Sequence, residues 1–438
     1  MSSEKFHDKT RVSSTKVDGL TPSDNGWKSL PARATGAPSR PALNRRKIKT
    51  ATPSTIRQIN RSIILNLIRF HQTMSRVELS RRTGISRSNV SDIVEELIEE
   101  GYLIEERAVP SVRGRSARGP VPLPLSLNRH SHLVLGISLR PRESSAAVAG
   151  LAGEIMQTIN FKTPDNPESF VRAASEIVKS LRREFAADSP IEEISISAPG
   201  LVHSATGRIL WLPTLAEYSA YNLADRVQAV TGIPTTVEND SNLAAVAELW
   251  LDGTGELRDF VVVCATDEGV GAGIVLNREV YRGHDTSFSG EFGHMSLDPD
   301  GPGCQCGRRG CWELYVRDRA TWERYTPDLD FTPARFPELL EKAARGDERA
   351  LRAIRETARY LSIGILNILL ALNPEVVILA GQITQVWDLI VGTLEKSFSS
   401  ANLIVPVRPV RLKAEQLYLQ GAIYHALHKV FGPPKLGL

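Results

Sequence analysis

Cysteine is scarce, with four residues in a chain of 438. Four cysteines cannot build a disulfide framework for a protein of this size. Three of them crowd into eight positions, which points to metal ligation in a reducing compartment rather than to oxidation. Long apolar runs are missing as well. Stretches such as LNILLAL fall well short of a bilayer span, and the opening MSSEKFHDKTRVSS is too charged and polar for a signal peptide. A strong charge of either sign is also absent. The formal balance is +3, so the distribution of charge matters more than its sum. These absences argue against a secreted disulfide scaffold or a membrane protein, and the expectation is a soluble, cytoplasmic chain. What is present, 42% hydrophobic and 24% charged residues, is ordinary globular composition with room for two or three domains.

Residues 1–54 are rich in Ser, Thr, Pro and Lys/Arg, lack an apolar period and carry the basic run NRRKIK. They read as a disordered basic arm, either a plain solvated tail or a segment that touches DNA. Residues 55–128 change to helical patterning. Ile56, Ile59, Ile63, Leu67 and Ile68 recur at helical spacing. SRVE at 75–78 is a capping box that starts a second helix, and Gly84 ends it. Ser86 caps a third helix, with Val90, Ile93, Val94, Leu97 and Ile98 as its apolar stripe. Two short capped helices across a glycine turn make a helix-turn-helix. The third helix would then expose Arg87, Ser88, Asn89, Ser91 and Asp92, and Ser86, Arg87, Ser88, Asn89 and Ser91 are the candidate DNA contacts. EEGYLIEE reads as a strand. The loop VPSVRGRSARGPVP after it carries Arg113, Arg115 and Arg118 with no acid, as a DNA-contacting wing would. A plain three-helix module with a basic linker shares the helical periods; the arginine loop in the wing's place favours DNA binding.

The remaining residues alternate strands and helices, which predicts an α/β module of helix-covered sheets. LVLGISL, AAVAGL and EIMQTINF are strand-like and are followed by a helix at 167–187. IEEISISAPGLV and TTVEND are further strands, the latter running into the helix SNLAAVAELW. DFVVVCAT, GAGIVL and EVVILAG follow, with long helices at 347–372 and 385–399. The strand-strand-strand-helix opening can recur after residue 259, as two similar lobes flanking a cleft would require. A last helix spans about 416–429.

SAPGLV, VENDSNLAAVAE, EGVGAGIVL and GEFGHMSLDPDGPGCQCGRRGCWE together resemble the ROK family of repressors, open reading frames and kinases. The resemblance runs from about residue 55 to the C-terminus. It is closest to the regulator branch of xylose and N-acetylglucosamine repressors, and it implies a winged helix-turn-helix followed by a two-lobed actin-like, ribonuclease H-like sugar-kinase fold. The first lobe would take 129–246, joined by the C-terminal helix 412–431. The second would take 247–411 and hold the metal. On resemblance alone, the last helix returns to the first lobe and touches the DNA-binding domain.

Cys304-Gln305-Cys306, Cys311 and the upstream His294 offer three sulfurs and one nitrogen. That set fits a closed, tetrahedral, structural zinc site with no open position for water, and the resemblance implies the same four ligands. By holding His294 and the CWE turn, zinc would fix Glu291 relative to Glu313. The resemblance further implies sugar contacts from Gly200, Asn239, Asp240, Glu291, His294 and Glu313. Asn239 and Asp240 also precede a helix, so capping is an alternative or additional role.

In a ROK kinase the aspartate equivalent to Asp240 is the general base. The phosphate loops, however, depart from the kinase pattern. GISLRPRESS has serine where an aspartate belongs and then Leu-Arg-Pro-Arg in place of Gly-Gly-Thr. TDEGVGAG replaces a Gly-Thr-Gly start and sets Asp267 and Glu268 where they would repel a polyphosphate. The reading is therefore a non-enzymatic, sugar-responsive repressor that binds operator DNA as a homodimer or a dimer of dimers. A sugar kinase with an appended DNA-binding domain is the alternative, and a DNA binder with a vestigial pocket is a third.

Overall fold

The computed structural model describes residues 52–105, 123–185, 189–252, 255–284, 288–400 and 405–432. Most of the basic arm therefore lies outside the described residues. So do Arg113, Arg115 and Arg118 of the expected wing.

The N-terminal part contains α1 (Pro53–His71), β1 (Thr73–Ser75), α2 (Arg76–Thr83), α3 (Arg87–Glu99), β2 (Leu103–Glu105) and β3 (Pro124–Leu127). The caps read from the sequence are all in place. Ser75 and Glu78 form the reciprocal capping box, Gly84 closes α2 at φ +73°, and the Ser86 hydroxyl accepts from the Asn89 amide. The three strands form an antiparallel sheet in the order β1-β3-β2, so the segment carrying the arginines connects adjacent strands.

One face was misjudged. α1 buries Ile64, Leu65 and Ile68, whereas Ile56 and Ile63 are 50% and 40% exposed. Two apolar stripes run along this helix, and periodicity alone does not say which one meets α2 and α3. Ion pairs from Arg57 to Glu96 and from Arg61 to Glu100 then tie α1 to the far half of α3.

The rest is built in layers on two five-stranded sheets. The first comprises β4 (Leu133–Ser138), β5 (Glu143–Ala149), β6 (Ile155–Lys162), β7 (Ile191–Ala198) and β11 (Thr235–Asn239), in the order β11-β7-β4-β5-β6. A small sheet of β8 (Leu201–His203), β9 (Arg208–Trp211) and β10 (Tyr221–Asn222) sits beside it. The second large sheet comprises β12 (Phe260–Ala265), β13 (Val270–Leu276), β14 (Glu279–Val280), β15 (Val376–Ala380) and β16 (Val407–Pro409), in the order β14-β13-β12-β15-β16. In each sheet three antiparallel strands are followed by two parallel ones. The recurrence expected after residue 259 is present.

α4 (Pro167–Glu184) and α5 (Leu223–Thr231) cover the outer face of the first sheet. α7 (Glu313–Val316), α8 (Asp318–Tyr325), α9 (Phe336–Ala344), α10 (Glu348–Leu372) and α11 (Trp387–Ser400) lie with the outer face of the second. α6 (Asp240–Leu251) and α12 (Ala414–Phe431) fill the space between, sharing one core with Val134 and Ala147 of the first sheet and Val262 and Ile378 of the second. They cross closely at Gly421, where a Cβ would stand 2.3 Å from the Leu243 carbonyl oxygen. The same core continues into α1 and α3.

His132 joins the N-terminal part to the first sheet. Its Nδ1 lies 2.7 Å from Glu192 Oε1 and its Nε2 2.9 Å from the Glu100 carbonyl, at the C-terminal end of α3. Both partners only accept, so both ring nitrogens donate and the ring is an imidazolium. Burial works against that charge, but the Glu192 and Glu100 bonds win and the pKa is raised. Tyr102 stacks on the ring, and Arg61 faces Tyr102 from α1. A raised histidine pKa contributes stability below its unfolded value and loses it as pH rises through the folded value. The melting temperature should therefore fall as pH rises through that folded value. His132→Ala should melt lower with a flatter pH profile, and equal profiles for the two proteins would remove this joint from the account.

Candidate functional site

Gly200, Asn239, Asp240, Glu291, His294 and Glu313 all line one cleft between the two sheets. β11 and α6 deliver Asn239 and Asp240 from one side. Asn239 caps α6, its Oδ1 accepting from the Ser241 and Asn242 amides at 2.9 and 3.1 Å. Its Nδ2 donates to the Gly200 carbonyl at 2.9 Å, so capping occupies the oxygen and leaves one N–H for the cleft. Gly200 sits at φ +79°, and a Cβ there would stand 2.4 Å from the Trp211 carbonyl oxygen, so the Pro-Gly turn requires glycine.

The opposite wall is the cysteine segment. Gly307 and Gly310, both at positive φ, let the chain double back so that Cys304, Cys306 and Cys311 meet. Their sulfurs and a His294 ring nitrogen lie within 4.8 Å of one another. Cys306 and Cys311 are 3.6 Å apart, as are Cys304 Sγ and His294 Nδ1. A tetrahedral ion with bonds of ~2.3 Å to sulfur and ~2.0 Å to nitrogen needs edges of about 3.5–3.8 Å, so the donors fit one metal ion. Burial holds the Cys304 thiol well above its ordinary pKa and pushes Cys311 up to about 11. A bound dication reverses this by stabilising the thiolates. With Nδ1 facing the metal position, Nε2 points into the cleft, 3.9 Å from Glu291 Oε2.

The cysteine turn is anchored from behind. Trp312 is wholly buried, donates from Nε1 to the Tyr360 carbonyl at 2.8 Å and packs on Gly364 of α10. Glu313 follows as the first residue of α7, so its carboxylate is placed by the same turn. Burial raises the Glu291 carboxyl to about 7, with Asp240 and Glu313 adding repulsion. Asp240 is raised by burial against the pull of Arg140.

Arg140 was seen in the sequence only as part of a broken phosphate loop. The structure gives it partners across the cleft. Nη1 donates to Asp240 Oδ2 at 3.0 Å, Nη2 lies 3.0 Å from Glu268 Oε2, and the guanidinium carbon sits 4.6 Å from the Tyr418 ring centroid. Its main chain is fixed too, the carbonyl accepting from Thr163 Oγ1 at 2.6 Å. The two acids expected to repel a polyphosphate differ in their surroundings: Glu268 is paired with Arg140, whereas burial raises the Asp267 carboxyl against the pull of Arg319, Arg142 and Arg317. Two more residues escaped the sequence reading. Glu238, buried and held by Arg282 Nε at 2.6 Å, receives the Asn239 amide and the Asn242 side chain and so sets the cap. Tyr418 reaches the cleft from α12, 170 or more positions away in sequence from β11 and invisible to local pattern.

Both central helices lead from this cleft to the N-terminal domain. α6 begins at Asp240, and near its other end Trp250 lies under Arg69 of α1, 3.9 Å from guanidinium carbon to ring centroid. α12 carries Tyr418 in the cleft, and at its far end the Phe431 carbonyl accepts from Ser62 Oγ and Asn66 Nδ2 of α1 at 2.5 and 3.0 Å. On the N-terminal domain Ser86, Arg87, Ser88 and Asn89 are exposed at the start of α3, while Ser91 is half-buried. Four of the five described candidate DNA contacts thus face outward.

The sequence profile of the ROK family matches residues 134–423, and that of a winged helix-turn-helix DNA-binding domain matches 57–104. A putative xylose repressor of Caldicellulosiruptor sp. (strain Rt8B.4) is 29% identical over 377 residues, covering 83% of this chain and 92% of that protein. A glucokinase of Streptomyces coelicolor is also 29% identical, over 283 residues, 61% of this chain and 87% of that enzyme. Among solved structures, a ROK family transcriptional regulator described as a homologue of the Escherichia coli MLC protein superposes with a TM-score of 0.72. It is 24% identical and covers 86% of this chain and 98% of its own.

Proposed function

The chain belongs to the ROK family and carries a winged helix-turn-helix domain ahead of the family's fold, and from that premise we propose that it is a sugar-responsive DNA-binding repressor. The observation that carries the reading is the joining of an exposed, capped α3 to a polar cleft by two helices that touch both. The similarity to a xylose repressor, which extends over both parts of the chain, supports it.

Sugar hydroxyls would be held by Asn239, Asp240, Glu291, Glu313 and the cleft-facing Nε2 of His294, with Gly200 leaving room for the ring. His294, Cys304, Cys306 and Cys311 would hold one structural zinc ion. The ion's contribution is positional: it fixes the turn from which His294 and Glu313 project. Operator DNA would be contacted by Arg87, Ser88 and Asn89 at the start of α3, by Ser86 and Ser91 beside them, and by Arg113, Arg115 and Arg118 of the wing. Two copies per operator are expected, since half-site spacing is read by two-fold symmetry. Sugar binding draws the walls of the cleft together, α6 and α12 shift against α1, and the recognition helices leave their half-sites. Operator and sugar then weaken each other's binding by the same factor.

Phosphoryl transfer is the second reading, favoured by the glucokinase similarity and by Asp240 in the cleft. Against it, one oxygen of the Asp240 carboxylate is already bonded to a guanidinium, and Arg140 and Pro141 stand where a kinase loop would cradle phosphate. Incubation with ATP and glucose, xylose or N-acetylglucosamine separates the readings. Thermal stabilisation by a sugar without nucleotide, and loss of that shift in Glu291→Gln, is the expected result. Sugar phosphate produced at enzymatic rates would reverse the assignment.

A further inference from the structure

The cleft lining has an unusual charge composition. Asp240, Glu268, Glu291 and Glu313 all contribute to it, and among the described residues no Lys or Arg does. Arg140 stands behind two of these acids, with Nη1 donating to Asp240, Nη2 3.0 Å from Glu268 Oε2 and its face against Tyr418. Arg282, on the other side, is held by buried Glu238. His294 adds no charge when its Nδ1 binds a metal. An anionic ligand would therefore meet carboxylates on several sides, and among the described lining residues it finds no guanidinium or ammonium.

The same contacts bridge the cleft. Arg140 follows β4 of the first sheet, Glu268 belongs to the β12–β13 turn of the second, and Asp240 starts α6 between them. A single guanidinium thus links three elements where a kinase would rely on nucleotide phosphates and their counter-ions.

Resting on the reading of the cleft as the effector pocket, we infer that Arg140 is its specificity-determining positioning residue. It holds the pocket assembled without a nucleotide. Because Asp240 and Glu268 engage both of its terminal nitrogens, the pocket accepts a free, uncharged sugar and refuses the phosphate ester or uronic acid of that sugar. Asp240 meanwhile is oriented by Arg140 and Ser241, which leaves its carboxylate a fixed acceptor for one sugar hydroxyl.

The test uses calorimetry on the full-length protein with xylose and xylose 5-phosphate, with glucose, glucose 6-phosphate and glucuronate, and with N-acetylglucosamine and its 6-phosphate. For whichever parent sugar binds, the charged form should bind at least a hundredfold more weakly. Glu268→Gln frees one arm of Arg140 and should narrow that gap at least tenfold. Arg140→Met should weaken the parent sugar at least tenfold, and Arg140→Lys should recover part of the loss; a merely structural role would leave the parent-to-ester ratio of Glu268→Gln unchanged. A phosphate ester that binds wild-type protein as well as its parent overturns the inference while leaving the effector site in place. Failure of every probe, charged and uncharged, overturns the effector reading itself.

Discussion

Removing the metal from the full-length protein, by chelation or by Cys306→Ser, is expected to lower effector affinity at least a hundredfold. The four donor atoms lie within 4.8 Å of one another, two of their separations being 3.6 Å, and His294 and Glu313 project into the cleft from the turn those donors close. Behind the turn stands Trp312; within it the described residues add main-chain bonds such as Cys304 to Arg308 and Gly310 to Pro302, and the Cys304 thiol meets Glu313 Oε1 at 3.0 Å. Without the ion, the buried thiols and the imidazole are left to partner one another and Glu313, whose carboxylate is then drawn toward Cys304 and His294. Metal binding in small zinc modules is worth on the order of 10 kcal/mol and more. Here the large core behind Trp312 survives, so the loss should be local, a fall in melting temperature of a few degrees rather than unfolding. Elemental analysis should find one metal ion per wild-type chain and none in the variant. A metal-free protein that still binds its effector with unchanged affinity would remove the ion from the mechanism.

The second large effect is uncoupling. Ser62→Ala combined with Asn66→Ala removes both side-chain donors that hold the Phe431 carbonyl to α1. α12 then keeps Tyr418 in the cleft but loses its grip on the DNA-binding domain. Effector affinity should stay within about twofold of wild type, because neither residue lines the pocket. The effector's influence on DNA binding should shrink at least tenfold, which is about 1.4 kcal/mol of coupling. Trp250→Ala tests the parallel contact through α6 and Arg69. If the double variant releases DNA normally on sugar addition, coupling runs through other contacts, the His132 joint being the next to examine.

Much of this was legible in the chain itself. Caps and turns are local chemistry, so Ser75, Glu78, Gly84 and Ser86 could be placed from neighbouring residues alone. The clustered donor set was readable for the same reason, since His294, Cys304, Cys306 and Cys311 lie within one short segment. The duplicated sheet order followed from the repeated run of strands. The buried side of α1 was not legible, because two apolar stripes compete and the choice is made by partners distant in sequence. Arg140 was missed for a similar reason. A bulky residue in a degraded phosphate loop looks like simple loss until Asp240 and Glu268, 100 and more positions away, are seen beside it. Glu238 and Tyr418 likewise gain meaning only from three-dimensional neighbours. Distance in sequence, more than any weakness of the local pattern, marks what went unseen.

Measuring DNA binding as a function of sugar, with no nucleotide present, tests the central claim most directly. Fragments that the full-length protein itself retains from the genome of its source would serve as the DNA, followed by fluorescence anisotropy with each sugar in turn. One uncharged sugar should weaken binding of wild-type protein at least tenfold, and Glu291→Gln should hold the same DNA whether or not that sugar is added. DNA affinity that ignores every sugar, or that changes only while ATP is consumed and a sugar phosphate accumulates, would contradict the account.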